Sequence, residues 1–205
     1  AERWIAPSDF ISQLAEGLDI KYNYKFEYEI FPNYPVISTM PMPRLISILE
    51  YKGFDDVNRF FKYQNGTVIK TNINDCYAFA TIYVPDDNYL FNRCTLTGDE
   101  LSIEINGDFK EINLEAQVRQ ALHLLGMHNA KTFEAETQKG HIQVHDQRYA
   151  KIEPIDDDQR KRFLAWATDQ RNIYSLGRFA TWRPGLLLDD LVNDIRLIEH
   201  KRLRR

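Results

Sequence analysis

The sequence predicts an α+β fold: an antiparallel sheet with flanking helices. Three observations carry that expectation. Four strand-like runs, Thr67 to Ile73, Cys76 to Val84, Phe91 to Leu96 and Leu101 to Ile105, follow one another, with the Gly98-Asp99 turn before the last, as in an antiparallel meander. Helical spacing flanks this block, at Leu45, Ile46, Ile48 and Leu49 before it and at Leu114, Val118, Ala121, Leu122 and Leu125 after it. With 205 residues, 43% apolar and 13% aromatic, the chain can bury a sizeable core as one domain or two small ones.

Taken in order, Pro7-Ser8-Asp9 ahead of Phe10, Ile11, Leu14 and Ala15, with Gly17 as a stop, predicts a short capped helix. Tyr22, Tyr24, Phe26, Tyr28 and Ile30 then alternate with polar residues, which predicts a half-buried strand whose aromatics pack on a core. Tyr34 to Pro43 reads as a short buried strand ending in prolines, the kind that sits mid-sheet, with no obvious parallel partner among its sequence neighbours. Asn65-Gly66 between extended runs predicts a hairpin turn rather than a glycosylated sequon with Thr67. Gly126 marks the stop of the helix after the meander, and His141 to His145 reads as a further strand. Asp157 to Thr168 predicts a helix, and a last helix runs from about Asp189 to the end. No internal repeat or low-complexity linker is present.

Charge and composition narrow the function classes. Lys and Arg number 26 against 30 Asp and Glu, so the net charge of -4 gives no whole-chain reason to expect a nucleic acid. The basic ending, Lys201 to Arg205, complements the dipole of the last helix. Cys76 and Cys94 lack paired CxxC spacing, and no secretory signal pattern opens the chain, so a cytoplasmic, reducing location is expected. No apolar run reaches the roughly 20 residues that span a bilayer, and no membrane partner is expected.

Metal and hydrolase motifs are absent: there is no GxSxG, P-loop or HExxH. His141 and His145 would share a helix face, but on a strand they stand about 13 Å apart, so no metal site is expected. His123 and His128 sit around a helix end, and Asp156-Asp157-Asp158 reads as helix capping. The chemically suggestive stretch is Tyr174 to Ile195: an apolar strand, the Gly177-Arg178 turn, a loop, then a helix opened by Asp189-Asp190. A glycine lets backbone approach a ligand, and an arginine fork can hold a pyrophosphate oxygen with two hydrogen bonds. From spacing alone a second reading stands beside it, in which Arg178 pairs with a carboxylate and Asp189 or Asp190 caps the helix.

That stretch, together with Val36-Ile-Ser-Thr-Met-Pro41, Asp75 to Tyr83 and Phe91 to Gly98, resembles the UDP-galactopyranose mutase and amine-oxidase-like group of FAD-dependent enzymes over most of the chain. Only the second half of such an enzyme is matched. The resemblance implies a substrate-domain-like part at approximately 46–150, and an FAD-domain-completing part at approximately 34–45 and 172–205, where a strand and the C-terminal helix would complete an FAD-binding Rossmann-like domain. The glycine fingerprint and ribose-binding acid would lie before residue 1.

By the same resemblance, Gly177 and Arg178 would contact the FAD pyrophosphate, and Asp189 and Asp190 would approach the flavin ring. Candidate substrate-wall residues are Tyr77, Tyr83, Arg93 and Trp182. Pro184 stands where the mutases carry a diphosphate-holding aromatic, and Leu188 is the nearest match to an acid that opens their helix. Both departures count against the sugar-ring contraction. The resemblance therefore implies the FAD-contacting portion of an oxidoreductase or nucleotide-sugar mutase-like enzyme, with FAD held only together with an N-terminal half, a small-molecule substrate such as a nucleotide-sugar or amine, and no catalytic residue assigned. The alternatives are a non-catalytic ligand- or protein-binding module, and a subunit whose Val36 to Thr39 edge pairs with another chain.

Overall fold

The computed structural model describes residues 6–7, 9–27, 34–107, 112–127 and 142–202. Helix α1 (Phe10–Ala15) buries none of its side chains. The aromatic run after it forms no strand over 21–27, contrary to its alternation: Asn23 takes φ 56°, which breaks an extended backbone, and Tyr22 and Tyr24 stand 81% and 51% exposed. Alternation makes a ribbon two-faced, but a strand also needs a neighbour for its N–H and C=O groups. Tyr28 and Ile30 of that run lie outside the described residues, as do His128 and His141.

Strand β1 (Val36–Ser38) finds its partner far along the same chain. It pairs in parallel with β7 (Ile173–Ser175), Val36 opposite Ile173 and Ser38 opposite Ser175. Between them lie helices α2 (Met42–Ile48) and α3 (Val57–Phe60), strands β2 (Tyr63–Asn72), β3 (Ala78–Tyr83), β4 (Phe91–Gly98), β5 (Glu100–Asn106) and β6 (Gln143–Ile152), and helices α4 (Leu114–Leu124) and α5 (Asp157–Arg171). Helix α6 (Leu188–Arg202) follows β7.

Strands β2 to β6 form one antiparallel sheet in the order β3-β4-β5-β2-β6. The expected meander therefore holds for β3, β4 and β5, while β2 pairs with β5 and not with β3. One sheet face is apolar. Ile69, Cys94, Leu96, Leu101, Ile103 and Ile105 pack there against Val118, Ala121 and Leu122 of α4. Burial pushes the Cys94 thiol above its ordinary value, as fits a core residue. The other face carries a cross-strand row, Tyr83, Arg93, Glu104, Val68 and His145, one residue from each strand.

Asn65-Gly66 is not a hairpin turn. Both residues lie inside β2, at a bulge where the β6 register jumps from Lys151 opposite Gln64 to Gln147 opposite Gly66. The strands close tightly there: a Cβ on Gly66 would stand 2.8 Å from the Cβ of Ala150 and 3.2 Å from the carbonyl oxygen of Ile105. Glycine serves close backbone approach as well as turns, and local spacing does not distinguish the two uses. Within the bulge Tyr149 adopts φ 63°, a left-handed conformation that costs a bulky residue about 1–3 kcal/mol. Its ring packs against Tyr63, Phe179 and Trp182.

A second core joins this end of the sheet to the β1–β7 pair. Met42, Leu45, Ile46 and Leu49 from α2 meet Phe163 and Ala167 of α5, with Ile152, Ile173 and Trp182. Helix α5 starts as its sequence expects, with the Asp156 carboxylate accepting from the Gln159 N–H at 2.8 Å.

Candidate functional site

The Gly177-Arg178 turn lies just past the carboxyl end of β7, the end at which open parallel sheets bind ligands. Leu176 N–H donates to the Ser38 carbonyl at 2.9 Å, which fixes the strand end. Beyond it, the Thr181 N–H and hydroxyl both donate to the Gly177 carbonyl, at 2.9 and 2.8 Å, and Arg183 N–H donates to Arg178 at 3.0 Å. Gly177 adopts φ 99°, and among the described residues no atom beyond its chain neighbours lies within 4 Å of where its Cβ would be. The turn is thus pinned from within and open outward, so another group can reach its backbone.

Arg178 is half-buried, its guanidinium carbon 5.7 Å from the Phe179 ring centroid. Its Nε is buried, with no hydrogen-bond partner among the described residues. Among the described residues no carboxylate pairs with it, so the ion-pair alternative finds no acid there. A buried donor left unmade costs about 1–3 kcal/mol, more when charged. A planar guanidinium fork beside an open glycine backbone can serve a carboxylate or phosphate oxygen.

At the start of α6 the capping reading holds for Asp190, whose carboxylate accepts from the Leu187 N–H at 2.9 Å, one half of a capping box. Asp189 stands beside it in the first turn. Asp190 lines a cleft of about 460 Å³ with Trp182, Arg183 and Pro184; neither Gly177 nor Arg178 lines it. Helix α6 is tied down by the Arg183–Asp194 ion pair, while Leu188 and Val192 stay 81% and 50% exposed.

The proposed wall residues are dispersed. Tyr77 and Tyr83 are exposed, and the Tyr77 ring meets Phe79 edge-on at 5.3 Å. Arg93 is committed to Glu104, its Nε donating at 2.9 Å and its Nη2 to both carboxylate oxygens, which holds the guanidinium pKa above its ordinary value; Nη1 reaches Tyr83 Oη at 3.5 Å. Trp182 lies in the core, 1% exposed, with its indole N–H donated to the Glu153 carbonyl at 2.9 Å. The link between sheet and turn runs through β6, where Tyr149 meets Phe179. Tyr83 on β3 stands four strand spacings from β6, roughly 19 Å, and Arg93 on β4 three, roughly 14 Å.

Sequence reasoning missed a cluster at that link. Arg148 lies with its guanidinium carbon 5.1 Å from the Tyr149 ring centroid and 5.8 Å from that of Tyr63, and donates to Tyr63 Oη at 3.3 Å. The only local signal was Arg148-Tyr149 beside a strand-like run; the pairing with Tyr63 is 85 residues distant.

No family model matches the sequence, and no curated protein matches it. The fold has a relative in the crystal structure of an Exiguobacterium sp. 255-15 protein named as a protoporphyrinogen oxidase, with a TM-score of 0.52 at 13% identity. The chain is similar in fold to part of that protein. The match takes in 83% of this chain and 41% of the other, so the chain spans less than half of that protein's length. Among the described residues no three His, Cys, Asp or Glu side chains gather as a metal site would require, and no helix is long and apolar enough to cross a membrane.

Proposed function

We propose that this chain is the substrate-domain and FAD-contacting portion of an FAD-dependent oxidoreductase acting on a small molecule, with residues 34–45 and 172–205 completing the flavin-binding layer. The observation that carries this is Arg178: a half-buried guanidinium with an unpartnered Nε, next to an open glycine backbone, just beyond the carboxyl end of a parallel strand. A dinucleotide pyrophosphate supplies the negative oxygens that this arrangement lacks. The likeness in fold to part of a protein named as a protoporphyrinogen oxidase supports an oxidoreductase reading.

In this reading Gly177 gives the pyrophosphate access to backbone and Arg178 holds it by its fork. The capped start of α6, with Asp189 and Asp190, faces toward the ring edge of the cofactor. The flavin, when bound, supplies the hydride-accepting chemistry. The open sheet face with Tyr77, Tyr83 and Arg93 forms the outer part of the substrate wall. Trp182 supports the turn from the core rather than touching substrate. Pro184 and Leu188 favour the oxidoreductase over the mutase.

In this reading the chain holds flavin together with an N-terminal FAD-domain part that carries the glycine fingerprint, on the same or a separate polypeptide. The test is a flavin titration of the chain alone and of the chain co-expressed with a fingerprint-bearing half. Flavin fluorescence and melting temperature should change only for the assembled pair. A colourless, unresponsive assembly would leave the non-catalytic binding module as the surviving reading.

A further inference from the structure

We propose that the cleft between α2, α3 and β6 is a ligand site in its own right, taking a small amphipathic anion, that is, a flat apolar body carrying a carboxylate or phosphate. The cleft measures about 830 Å³, a size that small-molecule sites occupy. Its floor is aromatic: Phe54 and Phe61 are buried, and Tyr51 and Tyr149 half-buried. Its rim is charged, with Arg44, Lys52 and Arg148 set against Glu50 and Asp55, all exposed.

The three cations are what distinguish it. Among the described residues none of Arg44, Lys52 and Arg148 is ion-paired, whereas Arg160 and Arg183, which line the cleft beside α6, are committed to Asp157 and Asp194. Three cations against two carboxylates leave the lining at +1 in a chain of net charge -4. Arg148 is also held in place, over two tyrosine rings and hydrogen-bonded to one, so less freedom is lost when its fork meets an anion. The same rings offer faces for a flat body.

Two left-handed residues line the cleft, Glu50 at φ 49° where the Tyr51 N–H closes the end of α2 on the Ile46 carbonyl, and Tyr149 at φ 63° in the β2–β6 bulge. This site does not use Arg178 and stands whether or not flavin binds, although Tyr149 and Phe179, 6.2 Å apart, join it to the Gly177-Arg178 turn.

The test is a titration of the full 205-residue chain with naphthoate, and with naphthalenemethanol as the neutral counterpart, followed by amide chemical shifts. Naphthoate should shift the amides of Lys52, Tyr63, Arg148 and Tyr149, and should bind about tenfold tighter than the alcohol, as a charge-assisted contact requires. Arg148→Gln should weaken it about tenfold. Should that variant fail to fold, Lys52→Gln, on an exposed loop, carries the same expectation at a few-fold. No binding, equal binding of the alcohol, shifts confined to other residues, or undiminished binding by the folded variants would overturn the proposal.

Discussion

Gly66→Ala is a substitution whose cost follows from the packing at the β2–β6 bulge. The new Cβ would stand 2.8 Å from the Cβ of Ala150, against a relaxed carbon–carbon separation of about 3.5–4.0 Å, and 3.2 Å from the Ile105 carbonyl oxygen. β6 must move away or β2 must bend, and overpacking of this kind costs about 1–3 kcal/mol. For a chain of this length each kcal/mol lowers the melting temperature by about 2–4 °C. Because the closer contact is a side-chain methyl, Ala150→Gly removes it, at an intrinsic cost of about 0.5–1 kcal/mol for glycine in a strand. In a double-mutant cycle followed by urea unfolding, the pair should therefore cost less than the sum of its single changes by roughly 1 kcal/mol. Rescue should be incomplete, since the Ile105 contact remains. Additivity within about 0.3–0.5 kcal/mol would refute the close approach, and so would a neutral Gly66→Ala.

Trp182→Ala should cost about 3–5 kcal/mol in denaturant unfolding, since it empties a core position and strands the Glu153 carbonyl; a loss under 1 kcal/mol would remove Trp182 from the core. Asp190→Ala should cost about 0.5–2 kcal/mol by the same assay, while Asp190→Asn, which keeps an acceptor oxygen, should cost less; equal losses would show that the Leu187 cap contributes nothing. Asp157 is held near 2, below the ordinary 3.8, by its hydrogen bonds to Lys161 and Arg160. A depressed carboxylate stabilises the fold above 3.8 and loses that contribution as pH falls through 2, so the melting-temperature gap between wild type and Asp157→Asn should close across that interval. A gap that stays constant down to pH 2 would contradict this.

What was legible in the sequence was local. Helix starts announced themselves through Asp156 and the Asp189-Asp190 pair, and β4 and β5 through their alternation around Gly98-Asp99. The strand, turn and helix order around Gly177 was also readable, because each piece has its own chemistry. What escaped depended on partners distant along the chain. The residues of β1 named no partner; it pairs with β7, some 137 residues on by the Val36–Ile173 register, and only the resemblance put the two segments in one part. Asn65-Gly66 has turn composition but sits in a bulge because Ala150 and Ile105 crowd it. The tyrosine alternation at 22–26 described an amphipathic ribbon without saying whether another strand would meet it. For the site, residue type pointed to Arg178, but only packing separated it from Arg93, whose fork is already filled by Glu104.

The central claim is that Arg178 waits for a flavin phosphate, and the most direct measurement is flavin retention by the assembled protein with Arg178→Met. Methionine fills similar volume without a donor, so the flavin-free fold should be as stable as wild type or more so, because a buried unpartnered donor is removed. Flavin affinity, read by visible absorbance after dialysis, should fall by about tenfold or more, the loss of a charge-assisted contact. Equal flavin retention by the two proteins would contradict the account.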